Sequence, residues 1–172
     1  MAPSANDVTI RRARPDEAAA LTELMLRAKG HWGYDQAFLA ACRPLLTISA
    51  ATIARDAVYC AVVGETLAGI CHVKPLDNGE AYLDDLFVEP VFMGTGIGAL
   101  LWRHAVGLAI AMGAHALVFD ADPNALLFYE RMGAVVVGAL VSTTFPGHTT
   151  PSMRYEVPSS RATRHAKERS GG

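Results

Sequence analysis

The sequence has little of what would mark a secreted, membrane-spanning or metal-bound protein. Its only cysteines are Cys42, Cys60 and Cys71, an odd number without C-x-x-C spacing, set in apolar or alternating segments. They read as small core residues, not as a disulfide framework or a reactive thiol. Charge of either sign is scarcely in excess, at a formal net −2, so no chain-wide basic field draws in nucleic acid or an anionic bilayer. The most apolar run, Ile97 to Met112, carries Arg103 and His104 and is too short to span a membrane. Met1 to Thr9 has neither the basic nor the apolar stretch of a secretory signal. These absences lead us to expect a cytoplasmic protein whose partner is a small soluble molecule or peptide, with a homodimer left open. His72, His104, His115, His148 and His165 show no ligand spacing, so no metal is expected.

What is present suits one domain with a substantial core, since 51% of 172 residues are apolar. Val8 to Arg12 alternates as a first strand, and Pro15, Asp16 and Glu17 open a helix that Gly30 ends. A shorter helix is expected from Asp35 to Cys42, stopped by Pro44. Ala57 to Val63 and Leu67 to Val73 form a hairpin, and Ala81 to Val88 adds a third antiparallel strand. The period then changes to that of a helix, with a predicted buried stripe of Ile97, Leu101, Ala105, Leu108 and Met112. Leu117 to Ala121 is a continuously apolar strand of the kind found in parallel pairings. Asp122 and Pro123 start a last helix that Gly133 ends, and Val135 to Val141 and Met153 to Val157 are two more strands. The order predicts a mixed α/β layer over residues 8–157. Residues 1–7 are expected to be a flexible start, and the polar, basic stretch 158–172 a disordered tail.

Glu89 to Gly98 reads EPVFMGTGIG, and glycines at every second position before a long helix let backbone N–H groups converge on an anion. The phosphate loop of nucleotide hydrolases is excluded, because its lysine and spacing are missing. Gly94, Gly96 and Ala99 partly fit a dinucleotide fingerprint, with Asp120 placed to hold a ribose. A Rossmann-type enzyme binding a nucleotide or S-adenosylmethionine therefore stays an alternative, although too little chain follows for further βα units.

Two motifs together resemble the GNAT (GCN5-related) N-acetyltransferase superfamily. Met93-Gly94-Thr95-Gly96-Ile97-Gly98 overlays its pyrophosphate motif R/Q-x-x-G-x-G/A, and DPNALLFYERMGA, residues 122–134, is similar to its second cofactor motif. The resemblance implies a mostly antiparallel sheet with a central parallel strand pair splayed around acetyl-CoA, flanked by helices. It implies that Leu86, Phe87 and Val88 pair with pantetheine, that Met93 to Ala99 hold pyrophosphate, and that Asn124 and Phe128 contact the cofactor. Met93 and Thr95 depart from the motif's polar residues, which leaves main-chain donors and the helix dipole to bind the phosphates. His148 and Thr150 likewise depart from a family stretch PGRxLPxM.

An amine attacking a thioester needs a base, and the departing thiolate an acid. The resemblance places the acid at Tyr129. Asp84 and Asp85 interrupt an apolar strand, where a carboxylate is costly unless paired or functional. Alternation directs one of them to each face, and Asp84 is the preferred base, direct or through water, with Asp85 its structural or charge partner. His31, Trp32 and Tyr34 follow the first helix, in the region that lines the acceptor site in GNAT folds, and could wall a cationic amine. The expected activity is acetyl transfer from acetyl-CoA to an amine by direct attack. A non-catalytic acyl-CoA sensor of the same fold is the remaining alternative.

Overall fold

A computed structural model of the protein describes residues 7–159. The expected flexible start and basic tail, apart from Asp7, Pro158 and Ser159, lie outside the described residues. Strands β1 (Val8–Arg12), β2 (Ala57–Val63), β3 (Thr66–Pro75), β4 (Ala81–Val88), β5 (Ala116–Asp120), β6 (Val135–Val141) and β7 (Thr149–Glu156) join in one sheet. Its order is β1-β2-β3-β4-β5-β7-β6. Every pairing is antiparallel except β4 with β5. The sheet is flanked by helices α1 (Ala18–Gly30), α2 (Gln36–Leu46), α3 (Ala50–Arg55), α4 (Ile97–Ala111) and α5 (Leu126–Arg131).

The parallel pair is short. Only Ala81 and Tyr82 of β4 meet Leu117 and Val118 of β5, after which the strands part. A bulge in β4 accounts for the parting: the ladder to β3 passes from Val73↔Leu83 to His72↔Asp85, leaving Asp84 unmatched. An extra residue bends and twists its strand, here away from β5.

One layer of the core, with Leu21, Leu24, Met25, Ile53, Val58, Cys60 and Ile70, lies under α1 and α3. The opposite face packs Ala61, Ala68 and Cys71 against Ile97 and Leu101 of α4. All three cysteines are free and buried. The stripe of α4 is rotated from the expected one, because Trp102 and Ala109 are buried while Leu108 and Met112 are half-buried. Trp102 turns inward to meet Phe119, Tyr129 and Tyr155 edge-on, which decides the helix's rotation.

Two further expectations are corrected. Helix α2 runs through Pro44 to Leu46, since Pro44 falls in its last turn and Thr47 Oγ1 donates to the Arg43 carbonyl at 2.7 Å. Helix α3 was not expected at all. It has only six residues and one buried side chain, Ile53, and begins at a Ser49 cap whose hydroxyl accepts from Thr52 N.

Gly69 shows how closely α4 sits on β3. A Cβ there would lie 2.7 Å from Leu101 Cδ1 and 2.8 Å from the Phe87 carbonyl oxygen. Overpacking of this kind typically costs about 1–3 kcal/mol, and the backbone oxygen cannot rotate away. Gly69→Ala is expected to lower the urea midpoint correspondingly at unchanged m.

Candidate active site

Where β4 and β5 part, a cavity of about 490 Å³ opens. One wall is Leu83, Asp84, Leu86, Phe87 and Val88 of β4, and the other is Phe119 to Asp122 with Asn124, Phe128 and Tyr129 beyond. Because β4 has lost β5 as a neighbour here, the main-chain groups of Leu86 to Val88 on that edge have no ladder partner.

The head of the cavity is the glycine loop. Gly94 and Gly96 have φ of 77° and 90°, a left-handed conformation that other residues seldom adopt. Two such turns bring the chain round to start α4 at Ile97. Among the described residues, the N–H groups of Gly94, Gly96, Ile97, Gly98 and Ala99 have no acceptor. Free donors at the positive end of a 15-residue helix are arranged as those that hold anions. Not every loop side chain takes part. Thr95 Oγ1 donates to the Phe92 carbonyl at 2.6 Å, and the Ile97 side chain is buried in the core at 1% exposure. Neither lines the cavity, whereas Met93, Gly94, Gly96, Gly98 and Ala99 do.

Tyr129 stands on the opposite wall, its ring held by Phe119 at 4.5 Å and by Trp102 and Phe128 edge-on. Its hydroxyl has no hydrogen-bond partner among the described residues. Burial pushes it far above an ordinary phenol, so it stays protonated and can only donate or accept as a neutral group.

The bulge overturns the expectation that Asp84 and Asp85 face opposite ways. The Oδ2 atoms of Asp85 and Asp84 lie 3.2 and 3.6 Å from His72 Nδ1, so both carboxylates turn toward one side. Only Asp84 lines the cavity. Its Oδ2 accepts from Lys74 Nζ at 2.7 Å, and Oδ1 is left without a protein partner among the described residues. Asp85 lies behind it, mostly but not fully buried. Burial raises its carboxyl, and the bond from His72 offsets part of that rise. Linear spacing had not suggested any association of His72 with these acids.

The acetyltransferase (GNAT) family model matches residues 20–134. This chain belongs to the GNAT acetyltransferase family. A GCN5-related N-acetyltransferase from Rhodopseudomonas palustris superposes with a TM-score of 0.73 at 20% identity, over 86% of this chain and 94% of that one. The PaiA N-acetyltransferase of Thermoplasma acidophilum, solved with coenzyme A, gives 0.70 at 18%, over 87% and 98%. At such identities these two show the fold. A curated relative, the peptidyl-lysine N-acetyltransferase YjaB of Salmonella typhimurium, is 39% identical over 57 residues. That match spans 33% of this chain and 38% of YjaB.

On the side of α1 the cavity is lined by Ala28. Trp32 lines it, while His31 packs edge-on against Trp32 at 5.2 Å and stays outside. Tyr34 also stays outside, as part of a polar lock. It donates to Asp122 at 3.1 Å, receives a bond from Asn124 Nδ2 at 3.1 Å, and stacks on Phe38 at 4.3 Å. Lys29 pairs with the same Asp122. Burial favours the neutral form of Asp122, but Lys29 and Asn124 outweigh it and hold the carboxyl below its usual range. Phe38 in turn meets Phe145 at 4.2 Å, which ties the β6–β7 connection to α2.

Three charged lining residues escape the sequence reading. Asp122 was read only as a cap. Asp120, considered only for the nucleotide alternative, accepts from Tyr82 Oη at 3.0 Å and Ser152 Oγ at 2.6 Å. Arg131 has no ion-pair partner among the described residues, and its place three positions after Phe128 on one helix face was the available signal.

Among the described residues no helix is long and apolar enough to cross a membrane. A single parallel pair also removes the Rossmann alternative, which needs a doubly wound parallel sheet.

Proposed function

We propose that this protein is an N-acetyltransferase moving the acetyl group of acetyl-CoA to an amine of a small molecule or peptide, and that residues 8–157 form its catalytic domain. One observation carries the reading: free N–H donors, an unpaired strand edge, an unpartnered carboxylate oxygen and a protonated tyrosine all border one cavity. The coenzyme A complex of PaiA, a protein of the same fold, supports the choice of cofactor.

Acetyl-CoA supplies the thioester. The N–H groups of Gly94 and Gly96 to Ala99 hold its pyrophosphate oxygens, with Arg131 adding positive charge. The open edge of Leu86 to Val88 takes the pantetheine amides as a further strand would be taken. Asp84 Oδ1, directly or through water, takes a proton from the incoming ammonium and frees its lone pair; the N–C bond then forms, and the nitrogen gives its second proton to solvent as the thiolate leaves. Tyr129 Oη gives its proton to sulfur as the C–S bond breaks, and then recovers one from solvent. The acceptor is an amine that arrives as a cation. Asp84 and Asp120 supply negative charge where it enters, and Trp32 a ring face.

Thermal denaturation tests the cofactor. At about 100 times its Kd a ligand adds about 2.7 kcal/mol, which is about 5–10 °C for a chain of this size. Acetyl-CoA should give that shift, and S-adenosylmethionine and NAD none. Stabilisation by S-adenosylmethionine alone would overturn the proposal. A shift by acetyl-CoA without release of free CoA across polyamines, amino acids, aminoglycosides and lysine peptides would make the protein a sensor instead.

A further inference from the structure

His72 is buried at 3% exposure and has an acid at each end. Its Nε2 lies 2.9 Å from Asp56 Oδ2, at the end of α3, and its Nδ1 lies 3.2 Å from Asp85 Oδ2 on β4. Where both carboxylates are ionised they only accept, and both bonds then form only if both ring nitrogens carry hydrogen. The other charges at this place fit that state. Arg55 binds Asp56 from α3 at 2.7 Å, and Lys74, on the strand of His72, binds Asp84 at 2.7 Å. Three carboxylates, of Asp56, Asp84 and Asp85, thus meet three cations, of Arg55, His72 and Lys74. Burial by itself would push the imidazole down, but the bonds to Asp85 and Asp56 reverse this and its net shift is upward.

We propose that His72 is a positioning residue of the acceptor site, an imidazolium clamped between Asp56 and Asp85 that holds the adjacent acids of the β4 bulge ionised and leaves Asp84 Oδ1 free for the acceptor. His72 does not line the cavity, so it acts through Asp84 and touches no reactant. Without its charge, the two neighbouring carboxylates repel and retain a proton between them, and the base is blunted. The inference rests on Asp84 being the base of the proposed acetyl transfer.

The test compares His72→Gln with the wild type as a ratio of kcat/KM from pH 6 to pH 9, in which the acceptor's own titration cancels. An opposite charge at this range is worth about one to three pKa units. A carboxyl raised by that much from the ordinary value of about 4 titrates at about 5–7, so the ratio is expected to fall by up to about tenfold at pH 6 and to recover to within about threefold at pH 9. A loss equal at every pH means a merely structural role and overturns the proposal. A second measurement needs no substrate and no buried substitution. Nitrogen NMR of the wild type should show both His72 ring nitrogens protonated at pH 7, and Asp56→Asn should lower the midpoint of its titration by about one unit or more. A neutral His72 at pH 7, or a midpoint indifferent to Asp56, overturns the clamp even if His72→Gln does not fold. Failure to find any acceptor would count against the acetyl-transfer reading, while the NMR result would still decide the clamp.

Discussion

Asp84→Asn should lower kcat by about 10²- to 10⁴-fold, the usual worth of a positioned general base, and leave the Kd of acetyl-CoA within about threefold. The amide has nearly the shape of the carboxylate, so the cavity wall persists. What it lacks is a lone pair basic enough to take the proton from the attacking nitrogen. The carboxylate is half-exposed and its partner Lys74 reaches solvent, so the substitution strands no buried charge. Calorimetry gives the affinity and CoA release gives the turnover. If Asp84→Asn turns over within threefold of the wild type at saturating acceptor across pH, the base is solvent or another group.

Tyr129→Phe comes second, with an expected loss in kcat of about tenfold or more and little change in acetyl-CoA binding. The ring makes its contacts with Phe119, Trp102 and Phe128 whether or not the oxygen is there. The hydroxyl has no protein partner among the described residues, so its removal orphans nothing. Its contribution falls in the step where sulfur leaves, and interactions confined to the transition state change kcat rather than affinity. The effect should be largest for acceptors whose attack is fast, where expulsion of the thiolate limits the rate. Full activity in Tyr129→Phe would assign the acid elsewhere and leave the fold and cofactor assignments standing.

Much of the cofactor half was legible in the chain because its determinants are local. The turn of the glycine loop depends on residues that tolerate positive φ, and α4 follows at once, so six consecutive positions specify the donor cluster. Asp122, Pro123 and Gly133 likewise punctuate the segment that carries Tyr129. The side of the cavity at the end of α1 was less legible. Trp32 reaches the cavity whereas its neighbours His31 and Tyr34 do not, because Tyr34 is drawn away by Asp122 and Asn124, residues about 90 positions later. No local pattern encodes that competition.

The sequence by itself determined the strand order, every helix but α3, the glycine loop and the family resemblance, since hydrophobic period, glycine placement and paired motifs are properties of neighbouring residues. Only the tertiary structure decided which of the two acids of β4 faces the cavity. Alternation predicts opposite directions for Asp84 and Asp85, and it holds only while the ladder is regular. The bulge is set by how β4 must fit β3 on one side and leave β5 on the other. Once the extra residue is accommodated there, both acids turn toward His72, and His72 is held from behind by Asp56. That group comes from α3, β3 and β4, three segments joined only when the sheet closes, so its charge balance exists in the folded chain alone.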